Sequence, residues 1–444
     1  MKRRDFMSNV ALGLGAGITA SLSGKAAMGA PRPDWRNLNH RSSAQPRGTA
    51  RNLIFVFLAG GASHVDTFDL KTGSETPDLL GPAQIGPMLW PAGIMPKLAQ
   101  MTDQFSVVRS ITAVEAVHER ATYHLTTAQR HDPSRASEVP HFASVMSHML
   151  QPQRRSSDSL PSVVIFGETM AQNGFFPIEH RGITLTEEGE IPNLAHNAPG
   201  GPGRQKLLSD LLTQVNPGDH RGQRVRLQNQ AKQLMNDTEL HNLLGIGGDT
   251  EVELDESAAF RRQCQAVVNM LSADKGARVV QMNLGDWDHH INIYAPDALP
   301  ALATTLDDGL SYLIQSLQAK PGKNGVTLLD ETMIVAAGEF GRTTAGLNES
   351  AGRDHYPYAM SAFFAGGGVK GGRIIGATDA TGSAITDPGW SQARYMGVGD
   401  LVATMYSALG LDWTARFTDT PSGRLFEAVP TIAGANYDIA PLFI

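Results

Sequence analysis

The stretch Leu53 to Leu58, LIFVFL, is apolar throughout, with no polar alternation. A strand of that kind needs cover on both faces, which a parallel sheet between two helix layers supplies. It stops at Ala59-Gly60-Gly61, where glycine permits backbone angles and close approaches closed to other residues. Further short apolar runs at Ser162–Phe166, Arg278–Leu284, Met333–Ala337 and Ala359–Ala365 read as strands. The spacing predicts helices over Pro140–Leu150, Glu253–Leu271, Pro300–Leu317 and Asp400–Leu409; the third carries Leu302, Leu306, Leu310, Leu313 and Leu317 on one side. This alternation predicts an α/β fold with a mainly parallel sheet and helices on both faces. Residues just past the carboxyl ends of such strands converge on one ligand crevice.

The first thirty residues read as an address. Lys2-Arg3-Arg4-Asp5-Phe6 is a basic segment with a twin arginine, Val10 to Leu22 is mildly apolar, and Ala26 to Ala30 offers small residues for cleavage. A spanning helix needs ~20 apolar residues, so this segment predicts no stable membrane span. It predicts export through the twin-arginine translocase to the periplasm or beyond. Residues 31–50 read as a flexible leader, and 51–444 as a single domain. Within it, residues 167–255 hold a glycine-proline stretch (Asn197 to Gly203) and a polar helical segment (Gly222 to Leu244), and read as a cap-like insertion. Cys264 is the only cysteine, so no intrachain disulfide supports the fold. At 41% hydrophobic and 18% charged the composition is that of a globular protein, and a formal charge of −7 offers no electrostatic basis for nucleic-acid binding.

Chemistry-bearing residues gather where the strands end. After the first run come Ser63, His64, Asp66 and Asp69; for Asp69 a capped glycine turn is the plainer reading. The segment from His118 to His131, HERATYHLTTAQRH, is helical by spacing. Its His118, Arg120, His124, Arg130 and His131 suit an anionic group, and a basic surface helix accounts for them nearly as well. The strand ending at Leu284 runs into Gly285-Asp286-Trp287-Asp288-His289-His290, the densest local cluster in the chain. Asp288 with His290, or Asp286 with His290, could reach one metal ion from a turn. The strand ending at Ala337 is followed by Glu339, Arg342 and the pair Asp354-His355. Carboxylate plus imidazole suits zinc, manganese or iron; a solvated loop with an Arg–Glu pair is the alternative.

Taken in order, the export segment, LIFVFLAGGASHVDTFDLK, HERATYHLTTAQRH, GDWDHH, AAGEFGRT and GRDHYP resemble the bacterial exported family catalogued as domain of unknown function 1501. The resemblance covers nearly all of the chain beyond the address. It places the chain with the alkaline phosphatase and sulfatase superfamily, which implies an alkaline phosphatase-like α/β/α sandwich that binds metal. By that resemblance Asp288 and His290 stand where the superfamily has the first Asp and His of one metal site. Glu339 stands for the aspartate of its Asp-His pair, and His355 for its last metal histidine. Ala59 occupies the place of a metal-bridging Asp, and the nucleophile position falls near His118, where no Cys, Ser or Thr stands. No Cys-x-Pro-x-Arg sequence is present, so a formylglycine is excluded.

The expected function is that of an exported, formylglycine-independent, metal-dependent hydrolase of phosphate or sulfate esters. A divalent ion (zinc, manganese or calcium) would be held by Asp288, His290, Glu339 and His355, with Asp66, His64, Asp286 and Asp354 in reserve. Arg342, His118 and Arg120 would steady charge on the anionic ester, and Ser63, Thr122 or a water would be the nucleophile. The alternative is a non-catalytic scaffold that keeps the fold and binds metal or a sulfated or phosphorylated glycan.

Overall fold

The computed structural model describes residues 44–167, 172–186, 237, 255–430 and 436–443. The expected export segment, most of the leader and most of the cap-like insertion, including Gly222 to Leu244 apart from Asp237, lie outside the described residues. The apolar runs form the strands β1 (Asn52–Leu58), β3 (Val163–Phe166), β5 (Val279–Leu284), β6 (Thr332–Ala337) and β7 (Met360–Ala365). Joining them are β2 (Phe105–Thr112), β4 (Ile183–Leu185), β8 (Arg373–Ile375) and β9 (Met396–Gly397). The sheet runs β8-β2-β7-β6-β1-β5-β3-β4, with β9 beside β2. Every described pairing in it is parallel except the two made by β7, which runs against both β6 and β2.

Alternate residues of β1 feed two separate cores. Ile54, Val56 and Leu58 pack with α3 (Glu256–Ala273) and α4 (Leu299–Gln318), through Phe260, Cys264, Leu306 and Leu310. Leu53, Phe55 and Phe57 pack on the other face with α1 (His118–Thr127), α2 (Phe142–Leu150) and α5 (Val398–Ala408), through Leu125, Phe142 and Tyr406. The result is a three-layer α/β/α sandwich. All seven residues of β1 are buried; each large apolar side chain so covered contributes about 1.5–3 kcal/mol. No helix among the described residues is long and apolar enough to cross a membrane.

Register decides where the chemistry lies. Leu58 of β1 sits opposite Leu284 of β5, and Phe57 opposite Ala337 of β6, so the loops that follow all three strands leave from one edge. Strand β2 runs the same way, so α1 also starts at that edge. The antiparallel β7 begins there, which brings in the segment ahead of it, His355-Tyr356, paired with Gly341-Arg342. Gly60 makes this convergence possible. Its φ is +107°, and a Cβ there would lie 2.7 Å from the backbone nitrogen of Asp288.

Candidate metal centre

Three imidazoles surround the carboxylate of Asp288. His355 Nε2 lies 3.1 Å from Asp288 Oδ1, and His290 Nε2 lies 3.0 Å from the same oxygen. His118 Nε2 is 3.2 Å from Asp288 Oδ2. The donor atoms of His118, Asp288 and His355 all fall within 4.8 Å of one another. His290 Nε2 adds a fourth donor 2.9 Å from His355 Nε2.

The other nitrogen of each ring is already held. His355 Nδ1 donates to the Ala116 carbonyl at 2.7 Å, since a carbonyl can only accept. His290 Nδ1 meets Asp354 Oδ1 at 2.8 Å; that hydrogen bond, foremost, keeps the Asp354 carboxyl below its ordinary range. His118 Nδ1 meets Glu339 Oε1 at 2.6 Å. A ring whose Nδ1 alone carries the proton has its Nε2 lone pair free for a metal ion; without an ion, an Nε2–H facing Asp288 can only donate to it. The Nε2 atoms of His290 and His355, 2.9 Å apart beside that carboxylate, need a proton or a cation between them. His118 Nε2 is also buried with no hydrogen-bond partner of good geometry, its approach to Asp288 being an ion-pair contact. An acceptor behind each ring and a nitrogen lone pair in front is the arrangement that metal-ligating histidines adopt. The residues present therefore fit a divalent ion.

Charge at the site follows from the same contacts. The carboxylates of Asp288 and then Glu339 raise the His118 pKa to about 9. Burial pushes the Asp288 carboxyl upward, but its contacts with His118, His355 and Arg342 outweigh it and hold the group well below the usual carboxylate range. Arg342, 1% exposed, ties the edge together. It donates to Gly61 O at 2.8 Å, Arg353 O at 3.0 Å, Asp288 Oδ1 at 2.5 Å and the carbonyl of Gly60. Glu339, also 1% exposed, accepts the Gly60 N–H at 3.1 Å on the oxygen that faces His118. The Phe340 ring packs against His118 and His355, with centroids 4.9 and 4.5 Å away.

Of the residues expected at the site, Asp288, His290, His355, Asp354, Glu339, His118 and Arg342 are brought together. Glu339 stands behind His118, and Arg342 is enclosed by carbonyls and Asp288. Five others are not brought in. Ser63 is buried and donates to Asp66 Oδ2 at 2.5 Å. Asp66 is buried against Arg353, at 2.7 Å, and accepts from the Tyr294 hydroxyl, also at 2.7 Å. His64 is buried: Nε2 meets Gly382 O at 3.0 Å, and Nδ1 accepts from the Arg342 backbone at 3.4 Å. Arg120 turns outward to Glu115 at 3.0 Å. Asp286 is exposed on the turn with φ +62°.

Sequence reasoning missed Arg353, Tyr294, Asn348 and the Ala116 carbonyl. Asn348 donates to His290 O at 3.0 Å and to Asp354 Oδ1 at 3.1 Å, bracing the His290–Asp354 pair. Arg353 stands beside Asp354 in the GRDHYP motif and was legible as a charged neighbour. A backbone carbonyl leaves no trace in a sequence.

Fold and site together define an α/β/α sandwich protein with a histidine–carboxylate cluster at the carboxyl edge of its sheet. The chain belongs to the family described as protein of unknown function DUF1501, which matches residues 50–434. No curated protein matches it. Among solved structures it is similar to a protein in the alkaline phosphatase superfamily from Vibrio parahaemolyticus. That pair is 12% identical with a TM-score of 0.40, over 83% of this chain and 69% of that one. A candidate sulfatase from Bacteroides thetaiotaomicron is 11% identical at TM-score 0.37, over 88% and 74% of the two chains. Phosphonoacetate hydrolase from Sinorhizobium meliloti is 14% identical at TM-score 0.32, over 69% of this chain and 60% of that one.

Proposed function

We propose that this chain is an exported metal-dependent hydrolase of phosphate or sulfate esters that uses no formylglycine. The observation that carries the proposal is the convergence of three Nε2 atoms on Asp288, each ring held from behind by an acceptor. Asp288, His290, His355 and His118 would hold the ion, with Glu339, Asp354 and the Ala116 carbonyl behind them. Imidazole donors favour zinc or manganese over calcium, which prefers an all-oxygen shell. A divalent ion there would supply Lewis acidity toward an anionic ester.

The chain's own residues do the rest. Arg342 fixes Asp288 and the Gly60 and Gly61 carbonyls in one arrangement, so the carboxylate does not reorganise during reaction. Glu339 keeps the proton of His118 on Nδ1. Phe340 shields the backs of His118 and His355 from water. With Ser63 committed to Asp66, Thr122 or a water would be the nucleophile. Export rests on the Arg3-Arg4 segment.

One observation favours a second reading, that of a metal-binding scaffold. Arg342 is enclosed with its donors turned to Asp288 and backbone carbonyls, and Arg120 turns away, so neither of the two arginines expected to steady an ester is open to one. Hydrolysis of aryl phosphate mono- and diesters and aryl sulfates by metal-loaded wild type, His290→Ala and His131→Ala separates the two. The hydrolase reading expects turnover in wild type and His131→Ala and none in His290→Ala, at unchanged melting temperature. Turnover surviving His290→Ala would overturn the site. Metal loading without turnover anywhere would leave the scaffold.

A further inference from the structure

The opposite, amino-terminal edge of the sheet holds a cavity of 190 Å³. Its wall carries Arg51, which precedes β1; Arg278, which precedes β5; Arg154 and Arg155, which follow α2; and Lys323. Among the described residues only one lining residue, Asp158, is acidic, and Asp274 lies just beside it. Five cations against two carboxylates is a marked local excess in a chain whose formal charge is −7.

The carboxylates are already spoken for. Asp274 takes Arg51 at 2.5 Å, Arg155 at 2.8 Å and Lys323 at 3.2 Å. Asp158 takes Arg155 at 2.7 Å. Arg154 and Arg278, both half-buried, have no carboxylate at ion-pair distance among the described residues. Arg154 spends its donors on the Ser162 hydroxyl at 3.2 Å and the carbonyls of Asp158 and Leu160, at 3.2 and 2.9 Å. Arg278 donates Nε to the Arg51 carbonyl at 2.7 Å and makes a long contact of 3.4 Å to Gln153. Those anchors fix two guanidinium groups in place while leaving their charge unbalanced. Burial, foremost, and then the charge of Arg51 bring the Arg278 pKa down to about 10, against the opposing pull of Asp274 and Asp158.

We propose that this cavity is a binding site for a tetrahedral oxyanion, phosphate or sulfate, seated between Arg154 and Arg278 and separate from the metal cluster across the sheet. Among the described residues Arg154 leaves Nε and Arg278 leaves Nη2 without a hydrogen-bond partner, and these donors suit the oxygens of such an ion. The anion completes the charge balance that Asp158 and Asp274 leave open. The volume admits the charged group of a small molecule and is well short of the ~300 Å³ at which pockets for whole drug-sized ligands begin.

The test uses the full chain purified free of phosphate. Inorganic phosphate and sulfate are titrated calorimetrically at constant ionic strength set with chloride. The expected result is a saturable one-site isotherm in wild type and in His290→Ala. Binding should be roughly tenfold weaker in Arg154→Gln and in Arg278→Gln, the loss of one charge-assisted contact. Arg278→Lys should recover part of it. Because Arg278 also braces the Arg51 carbonyl, Arg154→Gln is the deciding variant if Arg278→Gln unfolds. Equal affinity in Arg154→Gln and wild type would overturn the proposal. So would loss of binding in His290→Ala, or a response that chloride alone reproduces. Vesicles containing phosphatidylglycerol distinguish a lipid source: vesicle binding that free phosphate does not displace would also overturn it.

Discussion

Glu339→Gln isolates the contribution of one carboxylate behind one ligand. The glutamine is nearly isosteric and keeps an acceptor oxygen, so the Gly60 N–H, 3.1 Å from Glu339 Oε1, need not be left without a partner. What disappears is the charge 2.6 Å from His118 Nδ1, in a position 1% exposed. Loss of the residue that orients a metal-binding histidine costs about 10–100-fold in metal affinity, which is about 1.4–2.8 kcal/mol. A buried charge-assisted hydrogen bond is worth about 1.5–3 kcal/mol, so the two routes agree. Metal affinity would be measured by competition with a chromophoric chelator at pH 7.5, with circular dichroism and melting curves alongside. Glu115→Gln is the control, since Glu115 pairs with the outward-facing Arg120. A dissociation constant for Glu339→Gln within twofold of wild type, with the fold intact, would refute the argument that His118 is a ligand oriented by Glu339.

Three shorter predictions follow from the same geometry. With its pKa raised from 6.5 to about 9, His118 stabilises the metal-free fold fully below pH 6.5 and loses that contribution as pH rises through about 9; metal uptake at pH 7.5 should therefore release a proton, read as a buffer-dependent binding enthalpy, and a buffer-independent enthalpy would contradict it. Arg353→Met leaves the Asp66 carboxylate buried beside Tyr294 without its cation, and urea unfolding should show a loss of about 3–5 kcal/mol; a loss below about 1 kcal/mol would mean that Asp66 finds another partner. Replacing Arg3 and Arg4 together by lysine should leave precursor in the cytoplasm, and unchanged export would remove the twin-arginine reading.

Much of the layer structure was legible because strands buried on both faces are apolar without interruption. That rule located β1, β5, β6 and β7, and the leucine spacing located α4. It missed β2, whose sequence FSVVRSIT carries Ser106, Arg109 and Ser110. Arg109 tolerates the interior only because it donates to Phe68 O at 2.8 Å and lies 3.3 Å from Asp69, partners some forty residues away in sequence. At the site, the residue types were readable but their order of contact was not. Glu339 follows its strand as directly as Asp288 follows β5, yet it lies behind a histidine, because α1 starts at the same edge and brings His118 between them. His118 itself was expected to meet substrate; its Nδ1–Glu339 contact exists only once β7 has paired with both β2 and β6. Ser63, His64 and Asp66 occupy a strand-end loop that promised ligands, and the loop instead packs inward, meeting Arg353 and Gly382 from distant segments.

Metal content with X-ray absorption is the most direct test of the centre. Wild type and Asp288→Asn, each incubated with excess zinc, manganese and calcium and then desalted, would be analysed for bound metal. The metal-centre reading expects about one equivalent of a transition metal in wild type, with an absorption edge showing histidine nitrogen at about 2.0–2.1 Å if the ion is zinc, and a large loss in Asp288→Asn. Less than about a tenth of an equivalent of any divalent metal in folded wild type would contradict it, as would a full equivalent retained by Asp288→Asn with no histidine in its shell.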